Sequence, residues 1–260
     1  MKKDMLPSGI SGEGVALYMP SVSVECVILG FHSGGLKVLL RKLKINDQWM
    51  LPGSLIAIDE DVDKSAQRTL YKRTGIRGVS PRQFYLFGRK DRADSNDHVL
   101  KEFNIEGVET PWYLQRFMSV GYYALVQFDQ IKPMKSKEND DEIFDWFMLD
   151  SLPELYADHN KIIRKAIETV RMHIGYIPIG YKLLPEKFTM PELRVIYETI
   201  LGKAIDRRNF QRKVLSVGLI EPLNETRKIG PHKSPILYSF DKKKYAEAEK
   251  NGIQFMSNNF

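Results

Sequence analysis

The sequence predicts an α+β protein of two domains, a mixed sheet-and-helix sandwich over residues 1–180 and a small helical domain with a basic hairpin over 181–260. Three observations predict it. Apolar strand-like runs are interspersed with helical patterns in the first part; two short capped helices separated by a brief turn follow; and the charge is divided unevenly between the two parts. At 260 residues, 43% hydrophobic and 28% charged, the chain has room for two modest cores.

In the first part, Val22 to Phe31 and Lys37 to Lys42 read as strands joined by the turn His32-Ser33-Gly34-Gly35. Gln83 to Phe87, Phe117 to Phe128 and Ile143 to Met148 add strand signals. Between them, Val62, Ala66, Leu70 and Tyr71 recur at helical spacing, with Asp59 and Asp61 near the start and Gly75 just past the end. A second helix is expected from His159 to Ile174, its apolar face made by Ile162, Ile163, Ala166, Ile167, Val170 and Ile174.

In the second part, Thr189-Met190-Pro191-Glu192 has the form of a capping box, with Pro191 tolerated in the first turn. Leu193, Ile196, Tyr197 and Ile200 then share one side of a helix that Gly202 ends. Asp206 caps another, in which Phe210, Val214 and Val217 face inward and Gly218 closes the element. Leu219-Ile220-Glu221 and Ile236 to Phe240 read as strands of a hairpin. The loop between them carries Arg227, Lys228, His232 and Lys233, so helix-turn-helix plus wing is the expected arrangement.

The net charge of +6 is concentrated. Residues 1–181 carry 24 basic and 24 acidic side chains, whereas residues 182–244 carry 14 basic against 7 acidic. A localised basic footprint suits a nucleic-acid-binding module, and charge by itself equally marks a solvated or membrane-facing surface. Arg207, Arg208, Asn209, Gln211 and Arg212 lie on the exposed N-terminal side of the second helix, where such side chains read base edges, and Lys213 suits phosphate. Thr189, Arg227, Lys228, His232 and Lys233 complete the expected DNA-contacting set. A basic helix alone equally marks a solvated face; the wing behind it favours DNA.

Several classes are disfavoured. The one cysteine, Cys26, lies in an apolar run and reads as a buried strand residue, and a single cysteine permits no internal disulfide. The N-terminus breaks before a signal-peptide core forms and no apolar stretch reaches membrane-spanning length, so a cytoplasmic protein is expected. Gly34-Gly35 and Pro52-Gly53-Ser54 lack phosphate-loop spacing, and nothing marks a nucleophile–base pair. His98 beside Asp94 and Asp97 is a chance juxtaposition in a polar loop; neither metal nor cofactor is expected. Trp49, Trp112 and Trp146 are core residues or pocket walls.

The stretch from Gln48 to Glu60 and from Ala66 to Ile76 resembles the Nudix box, the loop-helix-loop of pyrophosphate-cleaving enzymes. Counting back from Gly75, Arg68 falls on the box arginine, Leu70 on its apolar position and Glu60 on its first glutamate. In that register Ser54 replaces the box glycine, Thr69 a glutamate, and Lys72 and Arg73 the paired metal-binding glutamates. The Nudix reaction needs divalent cations held by hard carboxylate oxygens. An ammonium and a guanidinium repel such cations, so catalysis is not expected.

With Leu183 to Thr189, Leu193 to Leu201, Asp206-Arg207-Arg208-Asn209-Phe210 and Leu237-Tyr238 in this order, the chain resembles Nudix-related transcriptional regulators of the NrtR type from Ser21 to Phe240. The resemblance implies a Nudix-like α/β/α sandwich and a winged helix, in a homodimeric repressor with operator DNA and a small-molecule effector as partners. The long loop from Arg89 to Trp112 and His232-Lys233-Ser234-Pro235 in the wing depart from the usual pattern. The altered loop and lost acidic cluster favour a pentose effector, arabinose first, with ADP-ribose or a related nucleotide as the alternative. Strand ends and aromatic placement nominate Arg41, Leu43, Trp49, Glu60, Arg89, Asp91, Tyr122 and Trp146 as effector contacts. The rival readings are a Nudix hydrolase with unusual metal ligation and a DNA-binding architectural protein.

Overall fold

The computed structural model describes residues 17–43, 48–93, 116–131, 142–175, 179–228 and 234–251. The chain forms two compact units. The first takes in residues 1–29, 38–124 and 131–166; the second is made of 30–37, 125–130 and 167–260.

A six-stranded sheet organises the N-terminal part. Its strands are β1 (Tyr18–His32), β2 (Gly35–Leu43), β4 (Arg82–Phe87), β5 (Met118–Val126) and β6 (Glu142–Met148), in the order β4-β5-β1-β2-β6, while β3 (Gly53–Ala57) pairs antiparallel with β1. The apolar run of β1 explains its central place: Val24, Val27, Ile28 and Leu29 are completely buried, as expected of a strand covered on both faces. The expected strands are all present. β3 was not anticipated, because its Gly53-Ser54-Leu55-Ile56-Ala57 reads as part of the box loop.

Helix α1 (Val62–Thr74) seats Ala66 and Leu70 in the core and ends at Gly75, whose φ of 71° is the left-handed cap that a glycine accepts at little cost. Helix α2 (His159–His173) buries Ile162, Ile163, Ala166 and Val170, the face expected from its periodicity.

The second unit contains helices α3 (Gly180–Leu183), α4 (Met190–Leu201), α5 (Arg207–Val217) and α6 (Lys242–Asn251) with a small sheet ordered β7-β9-β8 (β7 Phe188–Thr189, β8 Ile220–Thr226, β9 Ile236–Phe240). Gly202 and Gly218 close α4 and α5 at φ 69° and 72°. The α4–α5 core is aromatic, with Tyr197 and Phe210 both buried and their rings 5.3 Å apart. Val217 is half-buried where an inward position was expected.

Helix α6 was not foreseen. Its start, Lys242-Lys243-Lys244, reads as charge alone, yet Asp241 accepts from the backbone N–H groups of Lys243 and Lys244 at 3.1 Å, and Tyr245 and Ala248 are buried. Lys242 and Lys244 pair with Glu186 and Asp241 at 3.0 and 3.1 Å. The basic block is therefore partly neutralised within its own domain. Elsewhere in this unit, Gln127 donates to the Leu184 carbonyl at 2.5 Å and Arg171 to the Ile200 carbonyl at 2.7 Å. Among the described residues no helix is long and apolar enough to cross a membrane.

Candidate functional site

The departures Ser54, Thr69 and Arg73 from the box pattern each have an internal partner. Ser54 and Thr69, in the places of the glycine and a metal-binding glutamate, share a hydrogen bond of 2.6 Å, and Thr69 donates to the Ser65 carbonyl at 2.8 Å. Thr69 is 2% exposed. Arg73 is ion-paired with Glu142 of β6, whose other oxygen takes Arg41 of β2 at 2.8 Å. The retained pair serves the loop: Arg68 grips Glu60 through two bonds of 2.8 and 2.7 Å and also reaches the Leu55 carbonyl at 3.0 Å. Those bonds hold the Glu60 carboxyl below the usual carboxylate range.

These residues do not fit a divalent cation. A hydroxyl, an ammonium and a guanidinium stand where carboxylates are needed, and among the described residues no three His, Cys, Asp or Glu side chains converge.

Beside the altered box lies a desolvated polar cluster that sequence reasoning missed. Its members are Glu25 of β1, Arg41, Arg92 of the 3-10 turn Lys90–Ala93, and Tyr156, Asp158 and His159 at the start of α2. Arg92 pairs with Asp158 at 2.9 Å and donates to the Phe87 and Phe117 carbonyls at 2.7 and 3.1 Å. His159 accepts from the Leu51 N–H on Nδ1 at 2.9 Å, which leaves Nε2 as the protonated nitrogen. Burial, with Arg41 and Arg92 nearby, pulls its pKa down to about 3. Burial pushes the Glu25 carboxyl up to about 7; Arg41, Arg92 and Ser23 oppose the shift and Asp158 adds to it.

Of the nominated effector contacts, only Arg41 enters this cluster. Trp49 borders it, its carbonyl accepting from the Tyr156 N–H at 2.9 Å while its ring stands edge-on to Phe147 at 4.7 Å. Leu43 ends β2. Glu60 is consumed by Arg68. Arg89 and Asp91 bond each other on the surface at 3.0 Å, and it is the neighbouring Arg92 that turns inward. Tyr122 is 1% exposed and donates to Asp63 at 2.5 Å, fastening β5 to α1. Trp146 is half-buried on β6. Positions 94, 97, 98 and 112 lie outside the described residues.

The winged helix arranges its basic residues on two elements. Asp206 accepts from the Asn209 N–H at 2.8 Å and thereby orients the first turn of α5. Arg207, Arg208, Asn209 and Arg212 are exposed, Gln211 and Lys213 half-buried. Arg212 donates to the Asn209 side chain at 2.8 Å, fixing the two as a unit, while Arg207 and Arg208 have no partner among the described residues.

Two nominated DNA contacts have other duties. Thr189 is 1% exposed and forms the capping box with Glu192, its N–H donating at 2.6 Å. Arg227 donates to Glu192 and to the Lys187 carbonyl, each at 2.8 Å, and its N–H closes the wing on the Pro235 carbonyl at 3.1 Å. Lys228 is exposed just beyond that closure. His232 and Lys233 lie outside the described residues.

This fold is a Nudix-like domain followed by a winged helix. Residues 180–240 match the family model for the NrtR DNA-binding winged helix domain. The chain is 25% identical over 228 residues to the ADPR responsive transcriptional repressor NtrR of Acinetobacter baylyi, covering 85% of this chain and 82% of that protein. Shewanella oneidensis NrtR, crystallised with a 27mer DNA, superimposes with a TM-score of 0.66 at 24% identity, covering 86% of this chain and 95% of that one. A MutT/nudix family protein from Enterococcus faecalis follows, with a TM-score of 0.59 at 22% identity, covering 86% and 89% of the two chains.

Proposed function

We propose that this protein is a DNA-binding transcriptional repressor whose catalytically decayed Nudix-like domain, residues 1–180, senses ADP-ribose, and whose residues 181–260 grip an operator. The observation that carries the reading is the exposed Arg207-Arg208-Asn209 and Arg212 face of α5, set in a domain of the NrtR DNA-binding type. The relative from Acinetobacter baylyi, named as ADPR responsive, supports ADP-ribose over the pentose expected from the altered loop. Two copies bind a palindromic operator through paired α5 helices, and effector binding disfavours the DNA-competent geometry.

The altered box argues for sensing without cleavage. With Thr69, Lys72 and Arg73 in the ligand positions, and Arg73 already paired with Glu142, the box offers no carboxylate set to hold the metal that would activate water.

Fluorescence anisotropy on DNA fragments from upstream of neighbouring genes tests the reading. Sub-micromolar binding to one fragment, reversed by ADP-ribose and indifferent to arabinose, is expected. Reversal by arabinose alone would restore the pentose reading; failure to bind any fragment, with metal-dependent turnover of ADP-ribose, would replace it with a hydrolase.

A further inference from the structure

Glu25 is the lone acidic residue in the apolar run from Val22 to Phe31. Its neighbours Val24 and Cys26 are 0% and 1% exposed, and the Cys26 thiol lies against the Ala66 carbonyl of α1. Strand alternation therefore turns Glu25 to the other face of β1. There Ser23 donates to its Oε1 at 3.3 Å and is itself hydrogen-bonded to Ser119 at 2.7 Å.

The carboxyl rests against bare backbone. Gly53 is the cross-strand partner of Glu25, and a Cβ at Gly53 would stand 2.2 Å from Glu25 Oε2 and 2.9 Å from the Val24 carbonyl. Only glycine leaves room for the carboxyl in this position. Both nearby guanidiniums are committed elsewhere, Arg41 to Glu142 and the Leu51 carbonyl, Arg92 to Asp158 and two carbonyls. Ser23 is thus the only hydrogen-bond partner of Glu25 among the described residues, although the residue keeps part of its surface accessible.

We propose that Glu25 is the ligand-gripping acid of the sensing domain, its carboxylate accepting hydrogen bonds from the hydroxyl pair of a ribosyl ring. An ionised carboxylate is an acceptor with two oxygens side by side, which matches the two donors of a vicinal diol. In a desolvated setting such bonds strengthen, and a carboxylate with one weak partner has capacity to spare. The inference rests on the ADP-ribose reading.

It has a proton signature. The groups around Glu25 are Ser23 beside it on β1, Arg41 on β2, Arg92 in its turn, and Tyr156, Asp158 and His159 at the start of α2, with the Cys26 thiol on the opposite face of the strand. Their balance leaves Glu25 titrating at about 7. Diol donors favour the ionised form, so binding lowers that value and expels a proton near neutrality. Affinity then falls as pH drops below 7, at the limit by about tenfold per pH unit.

Isothermal titration calorimetry of ADP-ribose into the full chain, at pH 6 and 8 and in two buffers of different ionisation enthalpy, tests this. The wild type is expected to bind about tenfold more weakly at pH 6 and to release a proton near pH 7. E25Q is expected to bind at least tenfold more weakly at pH 8, with neither pH dependence nor proton release. Should E25Q not fold, E25D replaces it, with weakened affinity and the proton release retained. Tight wild-type binding that ignores pH, or E25Q binding like the wild type, overturns the role of Glu25 alone. No binding of ADP-ribose by the wild type overturns the nucleotide reading and this role together.

Discussion

Ser54 and Thr69 meet across the box loop through hydroxyl oxygens 2.6 Å apart. Both stand where the Nudix pattern has something else, a glycine and a metal-binding glutamate, so two losses are joined into one structural bond. Thr69→Val should destabilise the fold by about 1–2 kcal/mol, because a buried hydroxyl partner is removed. A double-mutant cycle with Ser54→Ala should return a coupling of about 1 kcal/mol in urea unfolding. Additive effects would show that the short contact contributes nothing.

Arg73 is the harder replacement to reverse. Its guanidinium and that of Arg41 flank Glu142, and all three side chains are less than a fifth exposed. Arg73→Glu restores the box residue in name but sets two carboxylates against each other, so a loss of about 2–4 kcal/mol is expected, moderated because Arg41 still holds Glu142. Chemical unfolding of R73E measures it. A variant as stable as the parent would mean the triad is incidental.

Helices α1, α4 and α5 were legible because their signals are local. Gly75, Gly202 and Gly218 stop α1, α4 and α5 where the spacing predicts, and Thr189 with Glu192 announces the start of α4. The polar cluster was not, since Glu25, Arg92 and His159 are brought together from distant points by sheet topology. The one sequence signal was an acid interrupting the apolar strand Val22 to Phe31. Arg227 shows the converse: its charge suggests phosphate, and only the fold reveals its partners Glu192 and the Lys187 carbonyl.

Glu25 and His159 make opposing demands on stability as pH changes. His159, at about 3 in the folded chain against 6.5 unfolded, stabilises above 6.5 and loses that contribution as pH falls towards 3. Glu25, raised to about 7 from 4.5, stabilises fully below 4.5 and loses that contribution as pH rises through 7. Between 4.5 and 6.5 the two slopes oppose, so wild-type stability should be nearly flat there. Glu25→Gln removes one slope: stability should then climb by about 1.4 kcal/mol per pH unit across that window. At pH 8 the variant should exceed the wild type by on the order of 3 kcal/mol. Urea midpoints from pH 4.5 to 8 check this, and an E25Q profile parallel to the wild type would contradict it.

Arg212 and Arg227 are separated by what each already holds. Among the described residues Arg212 is exposed on α5 and tied only to Asn209, whereas Arg227 braces the α4 cap. Arg212→Ala should weaken operator binding by about 1–3 kcal/mol and relax preference at one base position while leaving thermal stability unchanged. Arg227→Ala should lower the stability of the winged helix by about 1 kcal/mol, since it frees Glu192 and the Lys187 carbonyl. Its DNA affinity should keep the parent's dependence on salt. Loss of a phosphate contact reduces the slope of log K against log salt by about one, whereas loss of a brace does not. Anisotropy titrations of both variants at four salt concentrations distinguish these roles; a reduced slope for R227A would return Arg227 to the DNA-contacting set.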